Sequence, residues 1–119
     1  MARAAIKAAL QRHSDWVVVG EACSGPEAVE TFRRYRPQLT SMDFLMPEMN
    51  GLETARRLTG RNPDALILMI TTDPTIQLQE EARSAGVRGV CPKNETHCLE
   101  NAIDAVIRGG TYFGEQAAA

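Results

Sequence analysis

The sequence predicts an α/β domain organised around a parallel sheet, and three observations carry that prediction. Short apolar or β-branched runs at residues 16–19, 39–43, 65–70 and 87–91 alternate with longer stretches of helical periodicity. The links between them are only a few residues long, as strand–helix units require. The run Ala65–Ile70 is apolar at every position, the pattern of a strand covered on both faces. At 119 residues and 13.0 kDa, the chain is sized for one core.

The first element is a helix. Ala2, Ala5, Ile6, Ala9 and Leu10 recur on one face, with Arg3, Lys7 and Arg12 elsewhere on the wheel, and the helix reaches about His13. Trp16-Val17-Val18-Val19, closed by Gly20, is the first predicted strand. Ser24 and Glu27 form a capping box with Pro26 in the first turn, opening a helix that stops before Pro37. Leu39–Asp43 is the second strand, in which Thr40 and Ser41 interrupt the expected apolar run. A helix over Gly51–Leu58 and a turn over Gly60–Asp64 lead to Ala65–Ile70, which ends at Thr71-Thr72. Asp73 before Pro74 predicts a helix starting there, running to Ala85 and ending at Gly86. Val87–Cys91 is the last strand. Asn94 then caps a helix with a core stripe of Leu99, Ala102, Ile103, Val106 and Ile107, closed by Gly109. The domain is drawn over residues 1–109, with 110–119 as a tail or the start of a linker.

Composition narrows the function. Hydrophobic residues at 44%, charged residues at 24% and a net charge of -2 leave no electrostatic footprint for nucleic acid, so direct nucleic-acid binding by this domain is not expected. The longest strictly apolar run, Ala65–Ile70, is far short of the roughly 20 residues that span a bilayer, and the amino terminus lacks a signal-peptide layout. A cytoplasmic location is expected. Cys23, Cys91 and Cys98 form an odd set without a Cys-x-x-Cys pair, which suits reduced thiols, Cys91 and Cys98 acting as small buried hydrophobes. His13 and His97 have no ligand-spaced partner and read as solvated helix residues.

The chemistry lies where strands end. In a parallel sheet, Asp43, the Thr71-Thr72 pair and Lys93 converge at the carboxyl edge, where open α/β sheets hold their ligands. A carboxylate, a hydroxyl and an ammonium together suit phosphorylation of the carboxylate. The carboxylate is the nucleophile, the hydroxyl donates to a phosphoryl oxygen, and the ammonium offsets the added charge. Each residue also has a plainer reading: Asp43 as a turn cap, Thr71 as the last residue of a strand, Lys93 as a solvated lysine. No Gly-rich phosphate loop and no Ser-His pairing supports a hydrolase or nucleotide enzyme, and no enzymatic activity is expected.

From about Ala4 to Phe113, the chain resembles the receiver domain of bacterial two-component response regulators, of the NarL/LuxR (FixJ-like) class. The resemblance rests on Val17-Val18-Val19-Gly20-Glu21-Ala22, Arg36-Pro37, Met42-Asp43-x-x-Met46-Pro47-x-Met49-x-Gly51-Leu52-Glu53, Thr71 and Lys93. It implies a flavodoxin-like (CheY-like) three-layer fold, with Asp43 as phosphoacceptor, Thr71 as switch hydroxyl and Lys93 as phosphate-pairing lysine. It also implies Mg²⁺ on Asp43 and the backbone carbonyl of Leu45, and a histidine kinase as phosphodonor in phosphorelay signalling and transcription regulation.

The chain departs from the family pattern in several places. Family members open with a strand and an acidic pair that binds Mg²⁺; here the first element is the helix from Ala2, and Asp15 follows it, at the opposite edge. The fold is therefore expected to lack the usual first strand, and Mg²⁺ to be held weakly. The Val17 strand closing on the Leu39 strand, another chain filling the slot, or a true start codon further upstream would each resolve the gap. An open edge also favours a homodimer or strand-exchanged oligomer. The family's switch aromatic falls on Val90, and Pro92 precedes Lys93 rather than following it. Two functions remain: a receiver phosphorylated on Asp43, impaired by loss of the acidic pair, or a degenerate, phosphorylation-independent interaction module.

Overall fold

A computed structural model describes residues 22–44, 50–93 and 96–113. The predicted amino-terminal helix, the strand at residues 16–19 and the metal-ligand assignment at Leu45 lie outside the described residues. Within them, the order is α1 (Gly25–Tyr35), β1 (Thr40–Asp43), α2 (Gly51–Arg61), β2 (Ile67–Thr71), α3 (Ile76–Ser84), β3 (Gly89–Pro92) and α4 (Thr96–Ile107). The strands pair in parallel in the order β1-β2-β3, with Asp43 opposite Ile70 and Ile70 opposite Cys91.

The pleat sorts the core into two layers. Met42, Ile67, Met69 and Val90 pack with Phe32, Leu52, Leu58 and Leu78 from α1, α2 and α3. Leu68, Ile70 and Cys91 pack instead with Leu99, Ala102 and Ile103 of α4. Every residue of β2 is buried, which is why it is the strand that sequence identifies most plainly. The result is the three-layer, flavodoxin-like arrangement of CheY-like domains.

Local chemistry fixes the element ends. At α1, the Ser24 hydroxyl accepts from the Glu27 amide, and the Glu27 carboxylate reaches back to the Cys23 N–H, one residue earlier than an ordinary capping box. Arg36 closes α1 in the left-handed region at φ 47°. Helix α2 runs through Gly60 to Arg61 rather than stopping at Leu58, since Asn62 supplies the cap by bonding its N–H to the Leu58 carbonyl. Helix α3 begins after Thr75, not at Asp73: the Thr75 side chain accepts from the Leu78 amide at 3.1 Å, whereas the Asp73 carbonyl accepts from the Thr75 N–H in a turn ahead of the helix.

Beyond residue 109, where the sequence reading ends the domain, the chain turns back onto the sheet. Tyr112 bridges Gly89 in parallel, and Phe113 is 1% exposed within the α1–α3 core.

A carboxylate and ammonium at the carboxyl edge

The site is built from the carboxyl ends of all three described strands. Asp43 closes β1 in register with Ile70. The next residue, Phe44, donates its N–H to the Ile70 carbonyl and accepts from the Gly51 N–H at 2.7 Å. That second bond holds the first residue of α2 against the end of β1, directly behind Asp43. A Cβ on Gly51 would lie 2.7 Å from the Asp43 carbonyl oxygen and 2.9 Å from the Phe44 Cα, so this close approach requires glycine.

Lys93 follows Pro92 at the end of β3, and its backbone N–H donates to the Thr71 carbonyl at 2.8 Å. This bond steers the lysine back over the sheet. Its Nζ lies 3.4 Å from Asp43 Oδ2, with the two side chains 18% and 22% exposed. The pair is shielded more than an ordinary surface ion pair, and its attraction is correspondingly less screened. The other carboxylate oxygen, Oδ1, is buried without a hydrogen-bond partner among the described residues. Buried carboxylate oxygens are rarely left so.

Thr71 falls one residue after Ile70 and so belongs to the opposite side of the pleat from Asp43. It is buried, and its hydroxyl accepts from the Asp73 N–H at 3.3 Å. It lines a cleft with Phe44, Thr72, Asp73, Thr75 and Leu78. Asp43 and Lys93 are thus in side-chain contact, whereas Thr71 joins them through its backbone and its hydroxyl is held by the loop that leads to α3.

Receiver domains generally bind Mg²⁺ at their phosphorylation site. Mg²⁺ demands near-octahedral oxygen coordination. Asp43 Oδ1 offers one suitable oxygen, but Oδ2 faces Lys93, and the described residues contain no group of three or more His, Cys, Asp or Glu side chains able to hold a metal. The described residues do not by themselves fit the ion.

A family model for the response regulator receiver domain matches residues 1–104. The chain belongs to that family, the receivers of two-component systems. It is 30% identical over 112 residues to the transcriptional regulatory protein DegU of Brevibacillus brevis, covering 93% of this chain and 48% of that protein. It is 31% identical over 108 residues to the transcriptional regulatory protein YdfI of Bacillus subtilis, covering 90% of this chain and 50% of that one. The chain therefore spans about half the length of these curated relatives. A LuxR-family two-component response regulator from Aurantimonas superposes with a TM-score of 0.92 at 26% identity, over 98% of this chain and 84% of that chain. The receiver domain of a NarL from Mycobacterium tuberculosis shares the fold, with a TM-score of 0.84 at 24% identity over 90% and 87% of the two chains. Some relatives are enzymes, such as the protein-glutamate methylesterase of Myxococcus xanthus, of which this chain spans only 22%. No described helix is long and apolar enough to cross a membrane.

The strand ends of Asp43 and Lys93 meet at one edge, whereas the domain drawn to residue 109 stops short of the Tyr112–Phe113 packing. The available signal was an adjacent aromatic pair just after Gly109-Gly110, which a strand-like alternation would send to opposite faces.

Proposed function

We propose that Asp43 accepts a phosphoryl group from a histidine kinase, and that Lys93 and Thr71 read the charge it acquires. The observation that carries this reading is the Asp43–Lys93 contact of 3.4 Å at the carboxyl edge. An aspartyl-phosphate carries strong acceptor oxygens and close to two negative charges where the free carboxylate carried one. Lys93 is within reach to offset that charge, and its fixed backbone holds it there. The Thr71 hydroxyl accepts from the Asp73 N–H and keeps its own proton to donate, so its movement toward a phosphoryl oxygen would pull on the loop entering α3. A change of order in such a loop is a common way for an added phosphate to be transmitted.

Asp43 Oδ1 is one oxygen open to a cation at this edge, which alone falls short of the near-octahedral oxygen set that Mg²⁺ demands. With no group of three or more His, Cys, Asp or Glu side chains able to hold a metal among the described residues, we expect weak metal binding and slow phosphorylation. Incubation with acetyl phosphate and increasing Mg²⁺, read by intact mass, tests the proposal. One added phosphoryl group in the parent protein and none in Asp43→Asn supports it. No adduct at any Mg²⁺ concentration favours the alternative, a module that binds its partners without phosphorylation.

A further inference from the structure

The edge of the sheet opposite Asp43 carries a cleft of about 400 Å³, set between the carboxyl-terminal ends of α1 and α2 and the segments that enter β1 and β2. Buried Phe32 and Ala65 form its floor, and exposed Arg36 and Arg61 stand at its rim with Asn62 between the helix ends. Arg36 is held in an unfavourable conformation to be there. It closes α1 at φ 47° and ψ 58°, the left-handed region where helices commonly end in glycine because a Cβ is disfavoured. Its Nη1 donates across the gap to Asn62 Oδ1 at 2.9 Å. Asn62 is oriented in turn, its Nδ2 donating to the Leu58 carbonyl at 3.2 Å. A bond to a neutral amide fixes the guanidinium and leaves most of its five donors unspent.

The charge at this cleft is unbalanced. Arg33, in the last turn of α1, is paired with Glu30 at 2.6 Å. Among the described residues, neither Arg36 nor Arg61 forms an ion pair, although Asp64 also lines the cleft. Arginines in a last turn can simply answer the helix dipole, and that reading would suffice for Arg61 alone. It does not cover Arg36, which lies past the last turn in a conformation that glycine would hold with less strain. We propose that this cleft binds an acidic peptide segment of a partner protein, one carboxylate reaching Arg36 and Arg61 and a neighbouring apolar side chain resting on Phe32 and Ala65. Two guanidinium groups against one carboxylate favour an anionic partner, and bidentate guanidinium–carboxylate bonds give it geometric specificity. The open rim suits a passing chain better than an enclosed small molecule. The site lies at the far edge from Asp43 and stands whether or not that residue is phosphorylated.

Backbone amide NMR shifts of the full 119-residue chain, titrated with the acetylated and amidated peptide Glu-Leu-Glu-Leu, test the proposal. Shifts are expected at the Gln38, Asn62 and Ala65 amides, with Lys93 unmoved, and they should shrink as salt is raised. The Gln-Leu-Gln-Leu peptide should leave all of these in place. Arg36→Gly and Arg61→Gln should each raise the peptide Kd by about threefold or more. Arg36→Gly separates function from folding, because glycine suits the left-handed backbone: its urea midpoint should hold or rise while binding weakens. No shifts at the three cleft amides, equal binding of the glutamine peptide, or an unchanged Kd in both arginine variants would overturn the proposal. An oligodeoxythymidylate that moves the same amides at lower concentration than the acidic peptide would also overturn it, by assigning the cleft to phosphate.

Discussion

Lys93 Nζ stands 3.4 Å from Asp43 Oδ2, joining two strands that do not pair with each other across the top of the fully buried β2. Neither side chain is more than a quarter exposed, so the pair should contribute more than a typical exposed ion pair, which adds about 0–1 kcal/mol. A double-mutant cycle of Asp43→Asn and Lys93→Met, measured by urea unfolding, should give a coupling of about 1–2 kcal/mol. A coupling indistinguishable from zero would mean that the pair does not form in solution.

Gly51 and Gly60 sit in one helix and should respond oppositely to alanine. At Gly51, the new Cβ meets the Asp43 carbonyl oxygen at 2.7 Å, a backbone atom that cannot move aside. Gly51→Ala should destabilise the fold by about 2 kcal/mol through forced displacement of α2. At Gly60, nothing lies within 4 Å, so Gly60→Ala should stabilise by about 0.5 kcal/mol through helix propensity. Urea midpoints of the two variants decide both.

Thr75 caps α3 and Asp73 does not. Thr75→Ala should cost about 1 kcal/mol by leaving the Leu78 amide without its acceptor. Asp73→Ala should cost less than half of that, since its carbonyl, not its side chain, accepts from Thr75. Equal losses in thermal or urea unfolding would return the cap to Asp73.

Phe113 is buried to 1% although it lies four residues past the end of the domain as sequence draws it. Phe113→Ala should destabilise the domain by about 3 kcal/mol, the scale of a buried aromatic truncation. A change below about 0.5 kcal/mol, typical of surface positions, would show that residues 111–113 do not pack on the sheet.

The contrast between Ala65–Ile70 and residues 110–113 shows what sequence could reveal. A central parallel strand must be apolar on both faces, so β2 announces itself by composition, with a shift of one or two residues at its ends. Asp43 and Lys93 were legible for a related reason: topology alone takes the ends of parallel strands to one edge. Residues 110–113 have no such pattern, because a single bridge at Tyr112 is too short for periodicity to register. The start of α3 was misplaced because Asp73-Pro74 has the chemistry of a helix entry, while Thr75 is an equally good cap two residues later. The Thr71 hydroxyl could be assigned to the edge but not to its acceptor role toward Asp73, which depends on how the loop folds.

Borohydride reduction of the phosphorylated protein, followed by peptide mass mapping, tests the central claim most directly, because it converts an aspartyl-phosphate into homoserine and so marks the residue that carried it. The account predicts homoserine at position 43 in the parent protein, none in Asp43→Asn, and a reduced yield in Lys93→Met. Homoserine at another aspartate, or none at 43 when the parent protein has gained a phosphoryl group, would contradict it.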